Sequence, residues 1–446
     1  MGSHSTDDKE FSVRLSSVLD YSCVNDYVIQ FRRKMYLAFE SELTLIHKAF
    51  GRDRRIYMFG SQIKGTTTTG MMSDADFLQR FDTFRLFLDS EKEPLILYNH
   101  LIVIKVSTHG CASQYCVLTM IEASTQAKNL QIIDPYRNPV DIVDFCLSDR
   151  VKADKMIPNT IMFDTLNPMP EIEDQLKRHG PAKVFMNTKQ CKFFFERPRP
   201  GHWPSEKTLK KAKKYGIFIV PQGPPKSTNI CSFDYFENQW RISTNLTERL
   251  LMFSLDTVHL QAYVLTKMIR KELFMPNYQN RLSTFHFKTA FFFAVENTRS
   301  DMWREDNVIN CVKYILSTLK RFLNRRYCPH FTIDNVNLFD GKIEIHEFPK
   351  LVEKLTHVVK SLRTLIENIS MDNIGTSLNG CNTRINERIS YHRNTSLLSY
   401  YVFRNFHGAM HTGGFDFTGL SVEGRIAVFE QEFTHLEIYD RVPLKN

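Results

Sequence analysis

The chain has 446 residues, 42% apolar and 24% charged, with 35 Phe and 17 Tyr. Those figures exclude a disordered chain and a disulfide-stapled miniature fold, and leave room for two cores or one bilobal unit. Lys and Arg (58) exceed Asp and Glu (49), a net +9 that permits a polyanionic partner such as nucleic acid or a triphosphate without requiring one. Nine cysteines, at positions 23, 111, 116, 146, 191, 231, 311, 328 and 381, are odd in number and scattered, which fits reduced thiols in a cytoplasmic protein. No apolar run approaches the roughly 18 residues of a membrane span.

Residues 1–10 read as a disordered start. Over 11–50, Val24, Val28, Phe31, Tyr36, Phe39 and Leu43 recur at helical spacing and Gly51 ends the run. Arg54–Phe59 is a short apolar strand that opens into a Gly/Thr-rich turn, and 77–88, 95–106 and 115–121 read as further strands. Prolines 135, 139, 158, 168 and 170 break up 124–180, where loops with short helices are expected. A rigid connector, Arg197–Pro204, leads to a short basic helix from Ser205 to Tyr215 with Ser205 as its N-cap. From Asn245 the pattern turns helical, over 246–273, 285–296, 306–326 and 348–369. The first half is thus α/β and the second mostly α, with a glycine-rich, loosely ordered tail over the last 75 or so residues.

Chemistry concentrates in Phe59-Gly60-Ser61-Gln62 and, twelve residues beyond the Gly-Ser pair, Ser73-Asp74-Ala75-Asp76-Phe77. A Gly-Ser turn lets the backbone approach a phosphate and donate to it. In an extended segment Asp74 and Asp76 share a face while Phe77 turns into the core. Two carboxylates so close repel unless a cation sits between them, and Mg²⁺ held by carboxylates and substrate phosphates is the arrangement of polymerase-type sites. A lone Asp-x-Asp more often just faces solvent. The strand, the Gly-Ser turn, the spacer and the Asp-x-Asp together are far more specific.

This pattern resembles the nucleotidyltransferase signature hG[GS]…DhDh, and the chain is similar to the Mab-21-like family, which includes cyclic GMP-AMP synthase and its animal relatives. Gly60-Ser61-Gln62 and Gly65-Thr66-Thr67-Thr68 are similar to the invertebrate branch. Further matches, in order, are His179-Gly180-Pro181-Ala182, His202-Trp203-Pro204-Ser205, Trp240-Arg241-Ile242-Ser243, Thr284-Phe285-His286-Phe287-Lys288-Thr289-Ala290, Trp303, Asn310-Cys311-Val312-Lys313-Tyr314, Tyr327-Cys328-Pro329-His330-Phe331 and Asn337-Leu338-Phe339. They span about residues 11–366.

The resemblance implies a bilobal α/β nucleotidyltransferase fold: a mixed-sheet catalytic lobe over 11–220, a helical lobe over 221–370, and a tail of unassigned role over 371–446. It implies that Gly60 and Ser61 cradle a triphosphate and that Asp74 and Asp76 hold Mg²⁺ or Mn²⁺. Lys288 would contact phosphates, Arg241 and Ser243 a nucleobase, and Tyr314 would stack on a base. The activity implied is metal-assisted synthesis of a cyclic dinucleotide from ATP and GTP, in innate immunity, switched on by double-stranded nucleic acid. Arg32, Arg33, Lys34, Arg52, Arg54 and Arg55 are the candidate contacts to it, with a second cluster at Lys207, Lys210, Lys211, Lys213 and Lys214.

Two departures matter. The family's third carboxylate is expected between Gly-Pro-Ala and Trp-Pro, but 183–196 contains no Asp and only Glu196 is acidic. Glu122, on the 115–121 strand, and Asp134 are candidate substitutes, with no motif behind either. A catalytically silent family member that binds a nucleotide or protein partner therefore stands beside the enzyme, and transfer to some other acceptor is a third reading. No zinc-binding His/Cys insertion precedes the helical lobe, so no structural zinc is expected and RNA is favoured over DNA as the activator.

Overall fold

The computed structural model of the chain describes residues 3–49, 54–71, 73, 75–81, 84–89, 102–123, 130–133, 140–141, 156–157, 162–165, 183–185, 189–224, 238–278 and 281–379. Two helices open it, Ser3–Tyr21 and Asp26–Ala49. The first buries Phe11, Leu15, Val18 and Leu19, an i, i+4, i+7, i+8 stripe, in a core shared with helices of the second half. The expected disorder of residues 1–10 is thereby corrected over 3–10. Asp8 pairs with Lys313 at 3.1 Å and Asp7 with Arg363, so the segment is fastened to the helical lobe rather than to the α/β lobe.

The second helix runs along strand β1 (Arg54–Phe59) and accepts two of its backbone N–H groups. One side of β1 pairs antiparallel with β2 (Ala75–Phe81). The other side is an edge, whose backbone groups need partners once buried. Thr44 Oγ1 accepts the Ile56 N–H at 3.0 Å and Glu40 Oε2 accepts the Met58 N–H at 2.8 Å. Arg249 donates to Met58 O at 2.9 Å and to Glu40 Oε2 at 2.5 Å. Thr44 and Glu40 lie four apart, so one helix face serves alternate residues of the strand.

A six-stranded mixed sheet has the order β3 (Phe84–Leu88), β4 (Ile102–Ser107), β5 (Tyr115–Ala123), β11 (Gln239–Ser243), β10 (Ile217–Val220), β9 (Lys183–Phe185). Only β3 and β4 run parallel. Alternate residues, Phe84/Leu86/Leu88, Ile102/Ile104/Val106, Leu118/Met120, Ile217/Ile219 and Trp240/Ile242, form one buried face. The intervening Phe218 points the other way and packs on Phe59, Leu78 and Leu246, which joins the β1–β2 ribbon to the sheet. The described parts of 124–180 hold a three-stranded antiparallel sheet, β7 (Val140–Asp141), β6 (Leu130–Ile133) and β8 (Met162–Thr165), where loops with short helices were expected. Residues 95–101 lie outside the described residues.

The connector ends at the basic helix Glu206–Tyr215, with Ser205 Oγ accepting the Thr208 N–H at 3.3 Å as its N-cap. The helical half comprises Asn245–Phe253, Thr257–Ile269, Thr284–Asn297, Val308–Arg325, Glu347–Lys360 and Leu362–Glu367. The expected single helix over 246–273 breaks after Phe253. Asp256 accepts the His259 N–H at 3.1 Å and caps a new helix, which then widens into a π-helical turn, Arg270–Phe274. The helical lobe also outruns its expected limit at 370: Ile374 and Leu378 are buried in its core. Residues 380–446 lie outside the described residues. The architecture is thus α/β, a mixed sheet followed by a helical C-terminal region, compatible with a Mab-21 nucleotidyltransferase fold.

A buried ion pair fixes the connector to that region. Arg197 Nε donates to both carboxylate oxygens of Glu296 at 2.9 Å, and its Nη1 to Phe331 O at 2.8 Å. The shared Nε–H and the carbonyl contact are the hydrogen bonds that help such a pair to be buried.

Candidate functional site

Strand β1 ends where the chain must turn sharply: Gly60 has φ +89°, a region that side chains avoid. Antiparallel pairing sets Asp76 directly opposite Phe59, so the carboxylate stands at the mouth of this turn. Asp76 is exposed, and the next residue, Phe77, packs edge-on against Phe39 at 6.3 Å. Asp74 lies outside the described residues.

From the helical lobe Lys267 reaches the turn. Its Nζ donates to Ser61 Oγ at 2.8 Å and to Thr66 O at 2.7 Å. Burial pushes this amine down to about 7, helped by the charges of Lys64, Lys271, Arg270 and Lys288. Lys64, at the end of the short helix Gly60–Lys64, is likewise pushed down to about 7 by burial and by Lys288, against the opposing pull of Glu248 and Asp76. Lys271 donates to Met71 O.

Lys288 pairs with Glu248 and lies 4.3 Å from the centre of the Phe285 ring. Burial alone would raise the Glu248 carboxyl, but Lys288, His330 and Lys64 hold it down at about 2. Lys267 thus touches Ser61 and Thr66, Lys271 touches Met71, and the charges of Lys64 and Lys288 act on Lys267; Asp76 and Glu248 are the carboxylates that act on Lys64. An arrangement short of negative charge, beside a turn with a hydroxyl, is chemically suited to a polyanion.

Side chains also lock the spacer between the turn and Asp76. Arg32 Nη1 donates to Thr67 O at 2.7 Å, Gln62 Nε2 to Ser73 O at 3.0 Å, and the Thr67 and Ser73 hydroxyls share a hydrogen bond at 2.7 Å. Arg33 donates to Met252 O at 3.1 Å and Lys64 O at 3.3 Å. Arg32 and Arg33 are 3% and 2% exposed, which corrects their expected place on a basic face: their guanidinium groups serve buried carbonyls instead. Lys34 and Arg55 are exposed, whereas Arg52 lies outside the described residues and the Arg54 side chain is likewise not described. On the helix Glu206–Tyr215, Lys207, Lys210, Lys213 and Lys214 are exposed and Lys211 is half-buried.

Arg241 sits in β11 between Val220 and Tyr115, and its Nε is buried without a hydrogen-bond partner. Ser243 is buried opposite Phe218. Tyr314 lies on the helix Val308–Arg325 with the Arg321 guanidinium 5.3 Å from its ring centre. The structure therefore sets Gly60, Ser61 and Asp76 at one turn, while Lys288 reaches them only through its charge on Lys64 and Lys267. Among the described residues, the cationic partner of Tyr314 is Arg321.

The oxygen donors of Asp76, and of Asp74 by its type, suit a hard cation such as Mg²⁺. Among the described residues no three His, Cys, Asp or Glu side chains form a metal-binding group. Glu196 is exposed at the end of the helix Lys192–Glu196; Glu122 lies opposite Val103 in the sheet, but its side chain and all of Asp134 lie outside what is described.

Sequence reasoning missed Lys267 and Lys64. The signal was present for Lys267: it stands inside Leu260–Ile269, a helical stretch buried at every position, where an unexplained lysine is costly.

Residues 260–357 match the family described as the Mab-21 protein HhH/H2TH-like domain. No curated protein sequence matches the chain. The matched stretch lies within the helical half, from the helix Thr257–Ile269 to the helix Glu347–Lys360. No helix among the described residues is long and apolar enough to cross a membrane.

Proposed function

We propose that this chain is a metal-assisted nucleotidyltransferase that joins ATP and GTP into a cyclic dinucleotide, as a cytoplasmic receptor for double-stranded RNA in innate immunity. The observation that carries the reading is the convergence of the Gly60-Ser61 turn, Asp76 and the depressed amines Lys64 and Lys267 across the two lobes.

Ser61 and Lys267 bind the triphosphate: incoming phosphate oxygens replace the lost solvent around the amine and restore its charge. Lys64 and Lys271 add to the field that draws it in. Arg241, with its partnerless Nε, and Ser243 offer a fork and a hydroxyl to a base edge, and Tyr314 a stacking face. Asp74 and Asp76 would hold Mg²⁺ or Mn²⁺, which supplies charge neutralisation at the transferring phosphate. Lys34, Arg55 and the lysines of the helix Glu206–Tyr215 present the exposed positive surface for a phosphate backbone, by charge rather than by base readout.

The test incubates the full chain with labelled ATP and GTP, Mg²⁺ or Mn²⁺, and double-stranded RNA or DNA. A cyclic product that needs RNA and disappears in Asp76→Asn supports the reading; product that survives Asp76→Asn overturns the site. One observation favours a second reading, a nucleotide-binding module without turnover: Lys288 is already paired with the Glu248 carboxylate. Tight nucleotide binding without product under any of these conditions supports that alternative.

A further inference from the structure

Residues 370–373 lie beyond the matched domain, yet they touch the loop between Gly60-Ser61 and Asp76. The Asp372 carboxylate accepts from the Thr68 hydroxyl and, at 2.9 Å, from the Gly70 N–H. It also acts on the buried Arg32, whose guanidinium holds Thr67 O. Gly70 is fitted to this contact: a Cβ there would come within 3.0 Å of Asp372 Oδ2.

The turn that presents Asp372 is itself anchored. Asp372 and Asn373 adopt φ +53° and +56°, the left-handed region that Asp and Asn tolerate better than most residues. Glu272 accepts from the Met371 N–H at 2.7 Å and from Ser370 Oγ at 3.1 Å. Its neighbour Lys271 donates to Met71 O on the loop. Two consecutive residues of one π-helical turn therefore hold both the loop and the strut that presses on it, while Ile374 and Leu378 seat the strut in the helical core.

The geometry points to Asp372 as a positioning residue: a strut from the C-terminal side of the helical lobe sets the Thr66–Gly70 loop, and through the Thr67–Ser73 and Gln62–Ser73 bonds the placement of Asp76 against the Gly60-Ser61 turn. Asp372 meets no substrate; it acts through the loop. Its effect on turnover rests on the nucleotidyltransferase reading above, whereas its effect on the loop does not.

The test uses the full chain and four variants, Asp372→Ala, Asp372→Asn, Gly70→Ala and the double Asp372→Ala/Gly70→Ala. Amide hydrogen exchange over residues 66–73 is read beside turnover. Asp372→Ala, which loses the charge-assisted hydrogen bonds from Thr68 and Gly70, and Gly70→Ala, whose Cβ presses on the same carboxylate, each speed exchange in this loop by about ten-fold or more, with the melting temperature nearly unchanged. The double variant is no worse than Asp372→Ala alone, because Gly70→Ala disturbs a contact that Asp372→Ala has already removed. Asp372→Asn, which keeps an acceptor for Gly70, retains most of the protection. In protein that makes product, kcat falls about ten-fold while KM for ATP stays within about two-fold. Unchanged loop exchange in Asp372→Ala, additive losses in the double variant, or equal damage from Asn and Ala overturns the proposal. Failure of the nucleotidyltransferase reading shows separately, as absence of product from the wild-type chain with the loop exchange still obeying this pattern.

Discussion

Lys267 Nζ and Ser61 Oγ meet at 2.8 Å although 206 positions separate them. One comes from a helix whose stretch Leu260–Ile269 is buried at every position, the other from the turn that ends β1, and their contact joins the two lobes. Among the described residues the hydrogen-bond acceptors of this buried amine are a hydroxyl and a carbonyl.

Lys267→Met separates ligand binding from folding. Methionine fills a similar volume without a charge, so the free protein melts at a higher temperature than the wild type. ATP binding weakens by about ten- to a hundred-fold, the worth of a charge-assisted contact. Thermal melts with and without ATP, together with calorimetric titration, check both signs. A variant with lowered melting temperature and unchanged affinity makes Lys267 a purely structural residue.

The same amine, with Lys64, gives a pH signature. Folded, both titrate near 7, against 10.5 for an unperturbed lysine. Between those values the unfolded chain holds more protons, so the stability of the free protein rises as pH rises from about 7 towards 10. A bound triphosphate restores the amine charges, so binding takes up protons and affinity falls over the same window. Titrations of ATP at pH 6.5, 7.5 and 8.5, in buffers of different ionisation enthalpy, read the uptake directly.

Two histidines set the acid limit. Burial lowers His286 and His330 to about 4, and each uses Nδ1 to accept a backbone N–H, from Ser283 at 3.0 Å and from Ile333 at 3.1 Å. Below about 6.5 the unfolded chain binds protons that the folded chain refuses, so stability falls as pH drops from 6.5 to 4. Denaturant melts across that range show the loss. His286→Gln, which keeps an acceptor, flattens part of it.

The Lys288–Glu248 pair and the Arg197–Glu296 pair respond differently. Glu296→Ala strands Arg197 in the core and costs about 3–5 kcal/mol, read in denaturant melts, with ATP affinity per folded molecule unchanged. Glu248→Gln instead frees Lys288 beside Lys64 and tightens ATP binding several-fold if Lys288 serves phosphate. An unchanged affinity in Glu248→Gln confines Lys288 to holding helices together.

Much of this was legible in the sequence because it rests on local signals. The Gly60 turn, the alternation that exposes Asp76 and buries Phe77, and the Ser205 cap each follow from a few adjacent residues. The misreadings come from contacts between distant segments. Arg32 and Arg33 look like a basic face on a helix until the loop at 64–67 and the end of the helix Asn245–Phe253 bury them. The helix over 3–10 is weakly amphipathic, and Asp7 and Asp8 find their cations more than 300 positions away. The strands in 124–180 were hidden by prolines: 135, 139 and 158 fall between β6, β7 and β8, and 168 and 170 follow β8. Lys267 was overlooked because an apolar helix invites attention to packing alone, when the charge inside it was the informative residue.

The claim that Asp76 and the Gly60-Ser61 turn hold a metal-bound triphosphate is tested most directly by titrating ATP into wild-type protein and Asp76→Asn, each with and without Mg²⁺. The account predicts that Mg²⁺ strengthens binding to the wild type by at least about ten-fold, and that Asp76→Asn loses this gain while keeping its metal-free affinity. Equal strengthening by Mg²⁺ in both proteins contradicts it.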